Sequence, residues 1–153
     1  MRKKKLVFVV LKPDCLRRNL QNEIIQTIID AGLLIKEQKI IKLTPYFLRI
    51  MYYDIIHEHF YPDLEYFIRS GHCLILVVYG INAIKLMNKL KHSLRKKYRN
   101  KWLKLNKQDL ALWRNNKHPQ QKTLNIKLVA ENLLHVCDSE KKSRECRKLI
   151  FRT

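Results

Sequence analysis

Six apolar residues run without interruption from Leu6 to Leu11 and stop at Lys12-Pro13-Asp14, which predicts a buried strand followed by a turn. Between Asn19 and Ala31 the residues Leu20, Ile24, Ile25, Ile28 and Ile29 recur at helical spacing, and Gly32 follows as a C-terminal stop. Leu33 to Leu43 reads as a half-exposed strand, its second half mixing apolar and basic positions as Ile40-Ile41-Lys42-Leu43. Thr44-Pro45 supplies an N-cap and a first-turn proline for a helix that carries Phe47, Leu48, Met51 and Tyr52. A further helix spans about Asp63 to Arg69 and ends at Ser70-Gly71. Cys73 to Tyr79 is a wholly apolar third strand, and Asn82 to about Lys97 a long helix with Ile84, Met87, Leu90 and Leu94 inward. Beyond it no clear period emerges until Leu133 to Val136, a short fourth strand, and Glu140 to Phe151, a closing helix.

The order β-α-β-α-α-β-α, an unassigned stretch, then β-α predicts an α+β fold. The expected arrangement is a ferredoxin-like split βαβ, with a four-stranded antiparallel sheet and helices on one face of it. A length of 153 residues suits one domain over 1–153. With 46% apolar residues, 3 Gly and 4 Pro, low-complexity and disordered classes are excluded. Leu6 to Leu11 is too short for the apolar core of a secretory leader, and Cys73 to Tyr79 far too short to cross a membrane. Cys15, Cys73, Cys137 and Cys146 form no CxxC pair and no compact disulfide framework, so they are read as reduced thiols in the cytoplasm.

Charge changes this picture. The formal net charge is +19, and residues 81 to 130 hold 14 Lys or Arg against the single acid Asp109. Such a surface attracts anions, whether nucleotides, nucleic acid or acidic lipid, without choosing among them. His57-Glu58-His59 lacks further ligands at metal spacing and reads as a solvated loop. Asp54, Glu58 and Asp63 make no paired acid-base site. The absence of a glycine-rich phosphate loop excludes P-loop and protein-kinase chemistry.

Three separated motifs carry a resemblance: Val9-Val10-Leu11-Lys12-Pro13-Asp14, the stretch Phe60-Tyr61-Pro62-Asp63-Leu64-Glu65-Tyr66-Phe67-Ile68-Arg69-Ser70-Gly71, and Asn132-Leu133-Leu134-His135-Val136-Cys137-Asp138-Ser139. In this order and in these element types they resemble the nucleoside diphosphate kinase family, from about Leu6 to Phe151 with a lapse over roughly 88 to 128. The resemblance implies a ping-pong transfer of the γ-phosphoryl of a nucleoside triphosphate such as ATP to a nucleoside diphosphate. The phosphoryl group is carried on a histidine, and Mg²⁺ rides on the nucleotide phosphates rather than on the protein. His135 matches that histidine, Lys12 the lysine that meets the leaving phosphate, and Tyr52 the active-site tyrosine that hydrogen-bonds Lys12 or the phosphate. Phe60 and Leu64, four apart on one helical face, resemble the pair that clamps the base. Val129 resembles a third base contact, and Asn132 the partner of the ribose 3′-hydroxyl.

The resemblance also breaks in named places. Asn88 stands where the family has a phosphate-binding arginine, and the family's Thr-Asn-Pro segment is missing. Lys122, Arg95 and Arg99 are the candidates to replace its phosphate ligands. Cys137 takes the place of the serine after the histidine. Cys146, with Glu145 beside it, takes that of the glutamate that supports the histidine. The basic insertion at about 88–128 carries Tyr98, Trp102 and Trp113, which suits either stacking on RNA or DNA or a helical insertion packed on the domain. The alternative function is accordingly a catalytically weakened kinase-like module that binds nucleotide or nucleic acid. The family also implies a homo-oligomer, hexamer or tetramer, and with no apolar run long enough for a span no membrane partner is expected.

Overall fold

A computed structural model of the chain describes residues 3–99 and 104–152, so Trp102 lies outside the described residues. Strand β1 (Lys4–Leu11) is central and is followed by the short helix α1 (Pro13–Arg17), helix α2 (Gln21–Asp30) and strand β2 (Leu34–Ile41). Helices α3 (Pro45–Met51) and α4 (Tyr61–Arg69) lead to strand β3 (Cys73–Ile81) and the long helix α5 (Ala83–Tyr98). Helices α6 (Lys107–Arg114) and α7 (Gln121–Asn125) and a π-helical turn at Ile126–Ala130 precede strand β4 (Leu134–Val136) and helix α8 (Glu140–Phe151). The sheet is antiparallel in the order β2-β3-β1-β4, as the split βαβ arrangement requires.

Helices cover both faces of this sheet, where the sequence reading put them on one. Alternate residues of β1 part company: Val7, Val9 and Leu11 join Ile24, Ile28 and Met87 of α2 and α5, while Phe8 and Val10 join Phe47, Leu64 and Ile150 of α3, α4 and α8. The uninterrupted apolar runs of β1 and β3 follow from that double cover, since a strand buried on both sides has no position left for a polar residue. Where a turn was expected after Lys12, Pro13 at the first helical position and Asp14 in the first turn build α1, too short for any period to show. Thr44 caps α3 as expected, its hydroxyl accepting from Phe47 N at 3.1 Å.

The basic stretch after α5 is helical and docked. Asn106 and Asp109 cap α6 reciprocally, Asn106 Oδ1 accepting from Asp109 N at 2.8 Å and Asp109 Oδ2 from Asn106 N at 3.3 Å. Trp113 donates its indole N–H to buried Asn125 Oδ1 at 2.8 Å, and Asn125 Nδ2 donates to Asp63 Oδ2 of α4 at 2.9 Å. Helix α6 buries no residue completely, so its sequence carries little helical stripe for a period to reveal.

Candidate active site

The site forms where β1 and β4 end side by side. Val10 pairs with His135, and the chain leaving β1 stays tethered because Lys12 N donates to Leu133 O at 2.8 Å. Leu133 itself sits at φ 76°, a left-handed conformation costly for a branched side chain, at about 1–3 kcal/mol. It is held there by Asp14, whose Oδ2 accepts from Leu133 N at 3.0 Å. Asp14 is therefore the fastener between the two strand ends, a role the Lys-Pro-Asp motif did not reveal. Burial, partly offset by Lys12, raises its carboxyl above the ordinary range.

Lys12 is 2% exposed. Its ammonium donates to Asn132 Oδ1 at 2.7 Å and Ala130 O at 3.2 Å. Burial first, and then the Arg95 guanidinium, lower it to about 7. His135 projects from β4 towards the α3–α4 face, its ring 4.7 Å from that of Tyr52 at 62°. Desolvation, followed by Lys12, Lys91 and Arg95, lowers the imidazole to about 3, so it is neutral and nucleophilic at ordinary pH. Nε2 meets Cys137 Sγ at 3.8 Å, while Nδ1 has no protein partner among the described residues. The Tyr52 hydroxyl is buried and has no partner among the described residues, so the bond to Lys12 that the sequence reading offered it is not made. Burial raises its pKa far above the usual phenol value.

A cavity of about 340 Å³ brings together Lys12, Tyr52, Leu64, Arg95, Val129, Asn132 and His135. Three other candidates stand apart from it. Phe60 packs edge-on against His59 at 5.5 Å, the Lys122 ammonium lies over the Tyr66 ring at 5.4 Å, and Arg99 lines a neighbouring groove with Arg18 and Tyr98. His59 is no solvated loop residue, since its ring also meets Trp113 at 5.7 Å.

Arg95 spans the back of the cavity, donating from Nε to Asn132 O at 3.1 Å and from Nη2 to Leu134 O at 2.7 Å. Asn88 lines the cavity but turns its amide onto Ile84 O at 2.9 Å. Lys91, Asp138 and Lys142 also line it, and none was singled out from the sequence. Lys91 was nonetheless legible, lying three residues from Asn88 and four from Arg95 on one helical face.

Cys137 lies against the imidazole on one side and beside Cys146 on the other. The hydrogen bond between the two thiols, then burial, pushes Cys137 well above the ordinary thiol value. All four cysteines are free and buried. Among the described residues no three His, Cys, Asp or Glu side chains converge as a metal site, and no helix is long and apolar enough to cross a membrane.

Comparison with known proteins bears on the family and the fold. The family model described as nucleoside diphosphate kinase matches residues 6–153. The nucleoside diphosphate kinase of Metallosphaera sedula is 30% identical over 144 residues, covering 94% of this chain and 91% of that protein. Other matches are partial. That of Methanocaldococcus jannaschii is 36% identical over 57% of this chain and 62% of its own length, and that of Rhodopirellula baltica 32% identical over 52% of each. Among solved structures, the Aquifex aeolicus nucleoside diphosphate kinase superposes with a TM-score of 0.69 at 21% identity, covering 97% of this chain and 96% of that one.

Proposed function

The chain belongs to the nucleoside diphosphate kinase family, and we propose that it transfers the γ-phosphoryl of a nucleoside triphosphate to a nucleoside diphosphate through His135. The observation that carries this reading is the neutral imidazole, its Nδ1 free of partners among the described residues, beside Lys12 in a cation-lined cavity. Nδ1 attacks the γ-phosphorus in line with the bond to the β,γ-bridging oxygen. That bond breaks, its electron pair leaves on the diphosphate, and the phosphoryl group stays on His135. A second nucleoside diphosphate then takes the group by the reverse step. Lys12 and Arg95 offset the charge that develops on the departing oxygens, and the Tyr52 hydroxyl, without a partner among the described residues, is a donor left for the phosphate. Leu64 and Val129 meet the base, with Phe60 turned away from them towards His59. Asn132, already fixed to Lys12, meets the ribose.

The family's divalent cation fits this site as Mg²⁺ carried by the substrate, because Lys12, Lys91, Arg95 and Lys142 line the cavity and the acids Asp54 and Asp138 have no third ligand among the described residues. Such a cation neutralises charge on the phosphates. The reading extends to a cytoplasmic homo-oligomer, supported by edge strand β2, which exposes Leu34 and Ile40. A nucleic-acid module is not favoured: Trp113 is already engaged by Asn125 and His59, and Arg18 stacks over Tyr98 at 5.6 Å.

Incubation with γ-labelled ATP should give an acid-labile, base-stable phosphoprotein. In His135→Ala that label should vanish and turnover should fall by at least about 10⁴-fold, since the nucleophile is removed. An equally labelled His135→Ala protein would overturn the assignment.

A further inference from the structure

Most of the polar groups on the cavity wall are already committed. Lys12 gives its ammonium to Asn132 and Ala130, Arg95 gives two N–H groups to Asn132 and Leu134, Lys142 donates to Ile50 O at 3.1 Å, and Asn88 donates to its own helix. Lys91 is different. It lines the same cavity from α5, is half-buried, and has neither a hydrogen bond nor an ion pair among the described residues. Its side chain also lies near enough to His135, Arg95 and Asp138 for each pair to feel the other's charge.

An ammonium held in a partly dry cavity beside Arg95 is electrostatically disfavoured, Asp138 offsetting this only in part, until a further anion joins it. The arrangement makes sense once a chain of phosphates enters. Asn88 brings no charge, and one helical turn further along the same face Lys91 brings it with every donor free. Resting on the phosphotransfer reading above, we propose that Lys91 is a phosphate-binding residue of this chain, supplying to the phosphates of the bound nucleotide the positive charge that Asn88 lacks. Its contact is made to non-bridging phosphate oxygens, with no bond formed or broken at the lysine.

The test uses inorganic tripolyphosphate as the first probe, because it has neither base nor ribose and reports the phosphate wall alone. Isothermal titration at fixed ionic strength should show Lys91→Ala weakening tripolyphosphate and ADP by about tenfold or more, the size of one charge-assisted contact. Lys91→Arg should restore most of the affinity. Lys89→Ala, an exposed lysine of the same helix outside the cavity, controls for net charge and should change little. Lys91→Gln, which keeps the length of the stem, serves with thermal melts as a second loss-of-charge variant should the alanine variant be poorly folded.

Unchanged affinity in Lys91→Ala and Lys91→Gln, or an equal loss in Lys89→Ala, overturns the proposal. His135→Ala separates the two claims. It should still bind tripolyphosphate while forming no phosphohistidine. Persistent transfer in that variant would overturn the phosphotransfer reading, even with Lys91 confirmed as a phosphate contact.

Discussion

The cavity has a strand side and a helix side, and they follow different rules. On the strand side Lys12, Asn132 and His135 stand at the ends of β1 and β4, each fixed by backbone contacts: the Val10–His135 pairing, the Lys12-to-Leu133 bond and the Asp14 fastener. Moving any of them disturbs a sheet buried on both faces, and all three motif residues are present. On the helix side Asn88, Lys91 and Arg95 rise from α5 beside the face that Met87 and Leu94 commit to the core, and none of the three is itself fully buried. A charge there can move from position 88 to position 91, one turn along, without displacing Met87 or Leu94. On the proposed reading the strand side keeps the chemistry in place, and the helix side is where one phosphate ligand can be exchanged for another.

Breaking the strand side should have the larger effect. If Lys12 acts as proposed, Lys12→Met removes a buried cation beside His135 and should lower turnover by about 10²- to 10³-fold. The pH profile sharpens the same point. His135, lowered to about 3, is already neutral throughout the neutral range and sets no limb near pH 6.5. Lys12, lowered to about 7, loses its proton as pH rises through that value, so kcat/KM for the free enzyme should be level below pH 7 and fall above it. The fall should be about tenfold per pH unit and should flatten in Lys12→Arg, whose guanidinium stays charged. A wild-type profile level to pH 9 would show that the Lys12 charge is not used.

The same contrast explains what the sequence disclosed. The runs Leu6–Leu11 and Cys73–Tyr79 announce interior strands, and Lys12 and His135 are legible because their motifs are tied to strand ends. Asp14 was not legible as a fastener, since its partner Leu133 is 119 positions away and the bond depends on a left-handed backbone. The cover on the second sheet face was written in the same unbroken runs but read as one-sided. The insertion stayed without assignment because α6 buries nothing completely and is held by single hydrogen bonds rather than by a stripe.

Those bonds give a prediction of intermediate size that isolates the insertion from the catalytic wall. Asn125, 3% exposed, accepts from Trp113 Nε1 and Gln121 Nε2 and donates to Asp63. Asn125→Ala strands those partners and should cost about 1–3 kcal/mol in denaturant unfolding. Turnover per folded molecule should be unchanged, because none of these groups lines the His135 cavity. A loss of kcat with unchanged stability would place the insertion inside the catalytic machinery.

The smallest effect is expected from the basic residues that look most like replacement ligands in the sequence and stand apart from the cavity. Arg99 belongs to the neighbouring groove and Lys122 sits over Tyr66 on the α4 side, so neither reaches a phosphate held at His135 without a shift of its helix. What remains to them is long-range attraction, and at about 0.1 M salt that is screened beyond about 10 Å. The double variant Arg99→Ala with Lys122→Ala should therefore change kcat and ADP affinity by less than about twofold at physiological salt, with only a modest slowing of nucleotide association at low salt. Lys122→Ala also gives up a surface cation–π contact, so a stability loss of up to about 1 kcal/mol is expected and has to be separated from binding by working well below the melting temperature. A tenfold loss of ADP affinity in the double variant at physiological salt, persisting when the protein is fully folded, would show that the phosphate wall extends beyond α5 and that charge on this helix side is shared rather than relocated.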